Sequence, residues 1–284
     1  MINRMLLLSA LVWAAYGLTA QPLLAQSTSA PASAVQAWEL PHGTAVKDAG
    51  PRTYRFTVVY YTANTTGGVI HRQRVTGDYT RGLANGEVEW KNVGVADVDG
   101  ATAPFPAPQK RDFMEGFHYA DGSVDTMKPD FFQSFPPTAV VERNLIWDTG
   151  MFEMFGQNYF DQLRLNVPLH ISANQDVNMP GVGVFHSRDT VLEWVGRSER
   201  NGEDCALIDY RAFFNPLDIA NGGLTIQGRS DLWGEIWVSL ATKQIEYATI
   251  DEEVFGEMKL PGQDAPRPLS VFRTGTLEPL SPKN

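Results

Sequence analysis

The sequence is poor in the features that reveal common functions. Its 284 residues contain one cysteine, Cys205, which excludes an internal disulfide and zinc sites built from cysteines. It has no P-loop, no Gly-x-Ser-x-Gly motif and no Gly-x-Gly-x-x-Gly motif. No cluster of lysine and arginine fits nucleic-acid phosphates, and the net charge of -10 opposes such a partner. We therefore predict no nucleic-acid partner and no cofactor, and Cys205 is interpreted as a small buried side chain.

The five histidines do not form a metal-binding pattern. None are spaced i, i+4, and two His-x-x-Asp pairs occur, His118 with Asp121 and His186 with Asp189. Residues three apart on a strand point to opposite faces of the sheet. We predict no metal site, since one would have to be assembled from distant strands.

Long apolar runs are also missing, except at the N-terminus. There, Arg4 precedes an apolar run over residues 5–18, which small residues follow. This order is typical of a secretory signal peptide over residues 1–25, and the run is short for a membrane span. Gln26 stands where a lipoprotein would carry its lipidated cysteine. We predict a soluble protein of the periplasm or the extracellular space; an uncleaved anchor helix is the alternative.

What the chain has in abundance is strand-like sequence. Residues 26–50 are rich in Ser, Ala and Pro and predict a flexible lead-in, and residues 51–284 predict a single β-rich domain. Short apolar-polar alternations between Gly, Asn, Asp or Pro turns indicate antiparallel sheet, and no helical segments alternate with them. The strand-like segments are RTYRFTVVYYTAN, GVIHRQRVTGDYTR, GEVEWKNVGVADV, TVLEWVGRSER, EDCALIDYRAFF, GLTIQGRSDLWGEIWVSL, KQIEYATIDEEVF and LSVFRTGTLEPL.

One segment interrupts the strand pattern. NLIWDTGMFEMFGQNYFDQLRL carries Phe152, Phe155 and Tyr159 at helical spacing, with Asp148 or Thr149 as a possible N-cap. We predict a short helical insert near residues 148–164 that carries aromatic side chains into or over the sheet. Ordinary core packing is the alternative role for these rings.

The run of strands from Arg52, with the aromatic insert GMFEMFGQNYF, resembles the exported lipoprotein carriers of the LolA and LolB type. The resemblance implies an all-β, mainly antiparallel fold, with a curved sheet that forms a half-barrel or barrel around a helical plug. It also implies binding of acyl chains on the concave side. It covers architecture only and assigns no contact residue.

The segment from Glu193 to Arg211 contains the most informative hairpin. Asn201-Gly202 predicts a two-residue type I′ turn, and the register follows by counting outward from it. Trp194 then faces Asp209, and Leu192 faces Arg211. The two charged residues would lie among apolar groups on one face of the sheet. Either they form a buried ion pair, or Arg211 holds a carboxylate or phosphate of a ligand.

A second hairpin is predicted to turn at Thr242-Lys243. It places Ile236 and Val238 on a clean apolar face, and Trp233 and Glu235 on the other side as a rim or an exposed surface.

From these patterns we predict an exported binding protein that holds an apolar or amphipathic small ligand in an aromatic-lined cavity. The candidate ligand-binding residues are Arg211, Asp209, Trp194, Leu207, Phe213, Phe152 and Phe155. One alternative is an exported hydrolase or lyase acting on a carbohydrate or ester through carboxylates, with His118 or His186 as a further participant. For this alternative, Asp251 and Glu253 share a strand face, although such a run is more typical of a solvated strand end. The other alternative is an envelope interaction protein without a small-molecule site.

Overall fold

The strands and the helix occupy the chain from Arg52 to Pro279. The computed structural model describes residues 39–43, 45–48, 50–122, 128, 130–179, 182–221 and 224–280. The predicted signal peptide and the first part of the predicted lead-in lie outside the described residues. No helix in the described ranges is both long and apolar enough to cross a membrane.

Within the described ranges, eleven strands form one open antiparallel sheet. They are β1 (Arg52–Ala63), β2 (Val69–Arg81), β3 (Glu87–Asp99), β4 (Gln109–Lys110), β5 (Phe117–Ala120), β6 (Leu169–Met179), β7 (Gly183–Arg200), β8 (Glu203–Asn221), β9 (Leu224–Ser239), β10 (Ile245–Lys259) and β11 (Arg267–Pro279). Their order is β4-β3-β2-β1-β11-β10-β9-β8-β7-β6, and β5 pairs with β3. The predicted all-β antiparallel class is confirmed, and so are all of the segments predicted as strands.

The two faces of the sheet differ because side chains alternate along each strand. On β8, Ala206, Ile208 and Tyr210 are buried, whereas Leu207 and Asp209 between them are partly exposed. We call the face that carries Tyr210 the inner face and the opposite face the outer face. The inner face packs against the helical segment.

The helical segment begins earlier than the sequence predicts. Helix α1 spans Val140–Glu153, followed by a π-helical turn at Met154–Asn158 and a 3-10 turn at Phe160–Gln162. The predicted short helical insert near residues 148–164 is confirmed, but the helix begins eight residues earlier, at Val140. Asp148 is not an N-cap; it lies inside α1 and is buried, with its carboxylate paired to Arg273 of β11. Local cap preference favoured Asp148, but a partner far away in sequence decided its role.

The core lies between α1 and the inner face. Phe152 of α1 packs edge-on against Phe56 of β1, with ring centroids 5.7 Å apart. Phe155 and Phe152 both contact Tyr210 of β8. The core also contains the fully buried side chains Val58, Val75, Trp90, Leu145, Ile146, Phe160, Ile208, Ile236, Val238 and Ile250.

Buried ion pairs also tie α1 to the rest of the fold. The Arg273 guanidinium donates to both carboxylate oxygens of Asp148, at 2.5 and 3.0 Å, and pairs with Glu252 of β10. Arg81 of β2 donates to Glu153 at 2.8 Å. Such pairs are costly to bury, and removing one partner leaves an uncompensated charge. They therefore fix where α1 sits on the sheet.

The inner side is closely packed where it could have held a ligand. A cavity beside Tyr54, Tyr79 and Arg81 has a volume of about 10 Å³. That is roughly the space of a single water molecule.

The end of the predicted lead-in packs on this body where the structure describes it. Leu40 is buried, the Lys47 amide donates to the Thr242 carbonyl at 2.8 Å, and Asp48 pairs with Arg81. Residues 39–43 and 45–48 therefore contact the body, and the flexibility of the lead-in stays a prediction.

Candidate functional site

The tip of the informative hairpin is as predicted. Asn201 and Gly202 have φ values of 53° and 75°, which fits a type I′ turn. Arg200 pairs with Glu203, and the predicted register holds as far as Gly196, which pairs with Leu207.

Beyond Gly196 the predicted register is wrong by one residue. A β-bulge at Val195 makes Trp194 pair with Ile208 and Leu192 pair with Tyr210. The Trp194 carbonyl accepts a hydrogen bond from the Asn166 amide at 2.8 Å. Asn166 belongs to the segment after the 3-10 turn, so a hydrogen bond from a residue distant in sequence accompanies the bulge.

The bulge separates the predicted ligand-binding residues onto two faces of the sheet. Trp194 is buried on the inner face, where Phe152 and Phe155 also pack. Asp209, Arg211 and Phe213 lie on the outer face. Leu207 lies on the same face but two residues nearer the hairpin tip than Asp209, where it pairs with Trp237. A single site containing all of the predicted residues is therefore not formed.

The outer-face residues line a shallow groove that is largely open to solvent and has a volume of 460 Å³. This volume is within the range of small-molecule sites in proteins. The side chains that line it come from neighbouring strands β8, β9 and β10: Asp209, Arg211, Phe213, Trp233, Glu235, Thr249 and Asp251. Phe213 and Trp233 form one wall, with ring centroids 6.2 Å apart.

Asp209 and Arg211 do not form the predicted ion pair in the described part of the chain. The nearest carboxylate to Arg211 belongs to Glu193 of β7, at 3.8 Å between Nη1 and Oε2. At that distance, and with 43% of the Arg211 side chain exposed, the contact contributes little to stability. Arg211 is thus not held by a strong partner.

Carboxylates follow one another directly across three strands of the outer face. Glu193 pairs with Asp209, and Asp209 pairs with Glu235. Partial burial raises the pKa of Asp209, and the Glu235 and Glu193 carboxylates raise it further. Like charges in directly opposite positions destabilise a sheet. This row is an electrostatic cost that the described fold does not offset with hydrogen bonds to the Asp209 or Glu235 carboxylates.

A close backbone contact supports the floor of the groove. The Tyr210 hydroxyl reaches under β9 and donates to the Thr249 carbonyl at 2.7 Å. A Cβ at Gly234 would lie 2.7 Å from that hydroxyl and 2.2 Å from that carbonyl oxygen. Only glycine at position 234 leaves room for this contact.

The end of the groove is shaped by a second bulge. The β8–β9 register shifts between Ala212 and Asn215, and Phe214 adopts a φ of 61°. A left-handed backbone is unfavourable for a bulky residue by about 1–2 kcal/mol. The Phe214 amide donates to the Asp231 carboxylate, which holds this conformation. As a result Phe213 and Phe214 are both exposed, by 41% and 66%.

Sequence reasoning missed the groove as a unit but identified some of its parts. Trp233 and Glu235 were assigned to a rim or exposed side of the second hairpin, and the structure places both in the groove. The predicted two-residue turn at Thr242-Lys243 is wrong, because β9 ends at Ser239 and β10 begins only at Ile245. The register differs as well, since Tyr247 pairs with Trp237. Without the positions of the bulges, a strand register counted outward from the turns would not place Asp209, Trp233 and Asp251 together.

The other predicted features lie elsewhere. Cys205 is fully buried, and its thiol pKa is raised by burial to about 12. His186 lies between Asp176 and Asp218 rather than beside Asp189. Among the described residues, no group of three or more His, Cys, Asp or Glu side chains is placed to hold a metal ion.

No model of a known protein family matches the chain, and no curated protein sequence does.

Proposed function

We propose that this chain is an exported binding protein that holds an amphipathic small molecule in the outer-face groove. The carrying observation is the groove itself, which joins two aromatic side chains to polar groups that have no strong partner among the described residues. Phe213 and Trp233 supply apolar surface, and Arg211 and Asp209 supply polar anchors. Export is inferred from the signal-peptide pattern over residues 1–25.

The inner side supports this choice of location. The resemblance to lipoprotein carriers would place an acyl chain there, but α1 and its aromatic side chains occupy that space. The partly exposed outer face offers a groove with room for a ligand, whereas the inner cavity beside Tyr54 has room for about one water.

The first test is native mass spectrometry of the protein purified gently from its own host. We expect a bound small molecule, and we expect Trp233→Ala to release it. Phe255→Ala is the matched control, because Phe255 is an exposed aromatic residue outside the groove. A ligand that Trp233→Ala retains as well as the wild type would contradict the proposal, and so would an empty wild-type protein.

A second candidate function, hydrolysis of a glycoside or ester, is favoured by one specific observation. Asp209 and Glu235 lie directly opposite each other on neighbouring strands and line the same groove. Glycoside hydrolysis requires a pair of carboxylates, and the environment of this pair raises the pKa of one of them, Asp209.

Hydrolysis is tested with chromogenic aryl glycosides and aryl esters. Turnover is expected to fall at least a hundredfold in both Asp209→Asn and Glu235→Gln, as for loss of a general acid or base. Asp204→Asn is the control, since Asp204 lies outside the groove near the hairpin tip and already pairs with Arg197. Absence of turnover in the wild type, or turnover that both variants retain, would eliminate this candidate.

A further inference from the structure

The groove is one end of a longer line of aromatic side chains on the outer face. Trp233 of β9 lies 6.5 Å from Phe272 of β11, and Phe272 lies 6.0 Å from Tyr61 of β1, measured between ring centroids. With Phe213, which is 6.2 Å from Trp233, these four residues form what we call the aromatic row. The row crosses five neighbouring strands, from β8 to β1, a distance of about 19 Å at the usual strand spacing.

Polar groups lie between and beside the rings of the aromatic row. Asp251 of β10 pairs with Trp233 on one side and Thr274 on the other, and Glu253 pairs with Phe272. In the part of the chain that the structure describes, no hydrogen bond or ion pair holds either carboxylate. Hydrogen-bond acceptors therefore alternate with aromatic surface along the row.

The row has a defined end beyond Tyr61. Tyr61 pairs with Arg72 of β2, whose guanidinium stacks on Phe105 and donates to the Gly100 carbonyl at 2.9 Å. Arg74 stacks on the same ring. These arginines are engaged with the segment after β3, so they do not extend the row.

This composition selects among possible occupants. A lipid surface is disfavoured because carboxylates lie within the row. An anionic polymer is disfavoured because it would be repelled by the carboxylates of the outer face, which are Asp209, Glu235, Asp251 and Glu253. A sugar ring suits both elements, because its C–H face carries partial positive charge that an aromatic face attracts. Its hydroxyl groups can donate to carboxylates that lack a partner. The length of the row exceeds what one small molecule in the groove would use.

We propose that the aromatic row binds a neutral glycan chain laid across the strands, with the groove as one end of the site. The proposal rests on the proposed binding function and adds the ligand class. It assigns Phe272 and Tyr61, which lie outside the groove, to ligand binding.

The test is calorimetric titration of the full chain with neutral hexasaccharides of glucose, mannose, xylose and N-acetylglucosamine, and with the matching disaccharides. We expect at least one hexasaccharide to bind, and to bind more tightly than its disaccharide. Phe272→Ala and Tyr61→Leu should each weaken that hexasaccharide about tenfold, the loss of one aromatic stacking contact. The disaccharide, if seated in the groove, should be unaffected by Tyr61→Leu.

Phe214→Ala is the matched control, since Phe214 is the more exposed neighbour of Phe213 but stacks on Arg229 outside the row. Urea unfolding of each variant separates a binding loss from unfolding, and Tyr61→Leu keeps most of the apolar surface if Phe272→Ala is unstable. Hexagalacturonate should not bind, because its carboxylates meet those of the outer face.

Three results would overturn the inference. Failure of all four neutral hexasaccharides, while a co-purified small molecule still depends on Trp233, would remove the glycan and leave the proposed function standing. If no hexasaccharide binds and no co-purified molecule depends on Trp233, both the glycan inference and the proposed function are contradicted. Retention of phosphatidylcholine vesicles by the wild type, lost in Phe272→Ala without any saccharide binding, would assign the row to a lipid surface instead.

Discussion

The two faces of the sheet treat the same chemical groups in opposite ways. On the inner face, the Arg273 guanidinium is buried and donates to both oxygens of Asp148, while Glu252 pairs with its Nε. On the outer face, Arg211 lies beside Asp209 and Glu235, and its nearest carboxylate oxygen, on Glu193, is 3.8 Å away. The first arrangement is satisfied internally and holds α1 in place. The second has no comparable internal partner, and this difference is the reason for proposing the site on the outer face.

The aromatic side chains show the same contrast. Phe152 is fully buried between α1 and the sheet, whereas Phe213 is 41% exposed. Both belong to aromatic pairs with centroid distances near 6 Å, 5.7 Å for Phe152 with Phe56 and 6.2 Å for Phe213 with Trp233. Ring pairing is therefore common to both faces. The two faces differ in how far the rings are buried.

The sharpest test of the comparison removes one arginine from each face. Arg273→Ala is expected to lower the free energy of unfolding by about 3–5 kcal/mol, because it leaves buried carboxylates uncompensated. Arg211→Ala should change it by less than about 0.5 kcal/mol, as for an exposed side chain without a strong partner. Urea denaturation measures both. If Arg211→Ala were as destabilising as Arg273→Ala, the outer arginine would be structural.

Phenylalanine truncation gives a comparison of similar size. Phe152→Ala should cost about 3–5 kcal/mol through lost burial and the cavity left in the core. Phe213→Ala should cost less than about 0.5 kcal/mol while weakening ligand binding. Equal losses of stability, read from the same unfolding experiment, would show that the outer aromatics are also part of the folding core.

Removing one outer carboxylate should have the opposite sign. Asp209→Asn relieves repulsion from Glu193 and Glu235 and should raise the free energy of unfolding by about 0.2–1 kcal/mol. Asp231→Asn is the control, since that carboxylate accepts from the Phe214 amide and pairs with Arg229, and it should be destabilising. A loss of stability in Asp209→Asn would mean that the carboxylate has a stabilising role.

The smallest expected effect is a pH dependence near the sheet edge formed by β6. Hydrogen bonds to Asp176, and then to Asp218, raise the pKa of His186 above its ordinary 6.5. The ion pairs of protonated His186 therefore contribute fully to the free energy of unfolding below pH 6.5. This contribution is lost as the pH rises through the raised pKa of the folded state. NMR titration of the ring measures this directly. An unshifted pKa, or a shift that Asp176→Asn and Asp218→Asn leave unchanged, would contradict it.

Much of the fold could be predicted because its signals are local. Alternation along β8 and the Asn201-Gly202 turn are properties of short segments, and both are present as expected. The site was harder, because the bulges at Val195 and between Ala212 and Asn215 move side chains from one face to the other. Each bulge is accompanied by a hydrogen bond from elsewhere, such as Asn166 to Trp194, that no local pattern contains.

Local patterns were enough to predict the all-β antiparallel class, the positions of most strands and the tip of the hairpin, since backbone preference and period-two alternation act between near neighbours. Long-range contacts were needed for three further outcomes: α1 begins at Val140, Asp148 pairs with Arg273, and Trp194 and Asp209 lie on opposite faces. Those outcomes depend on burial and on partners distant in sequence, and a one-residue shift in a strand is enough to exchange the core for the surface.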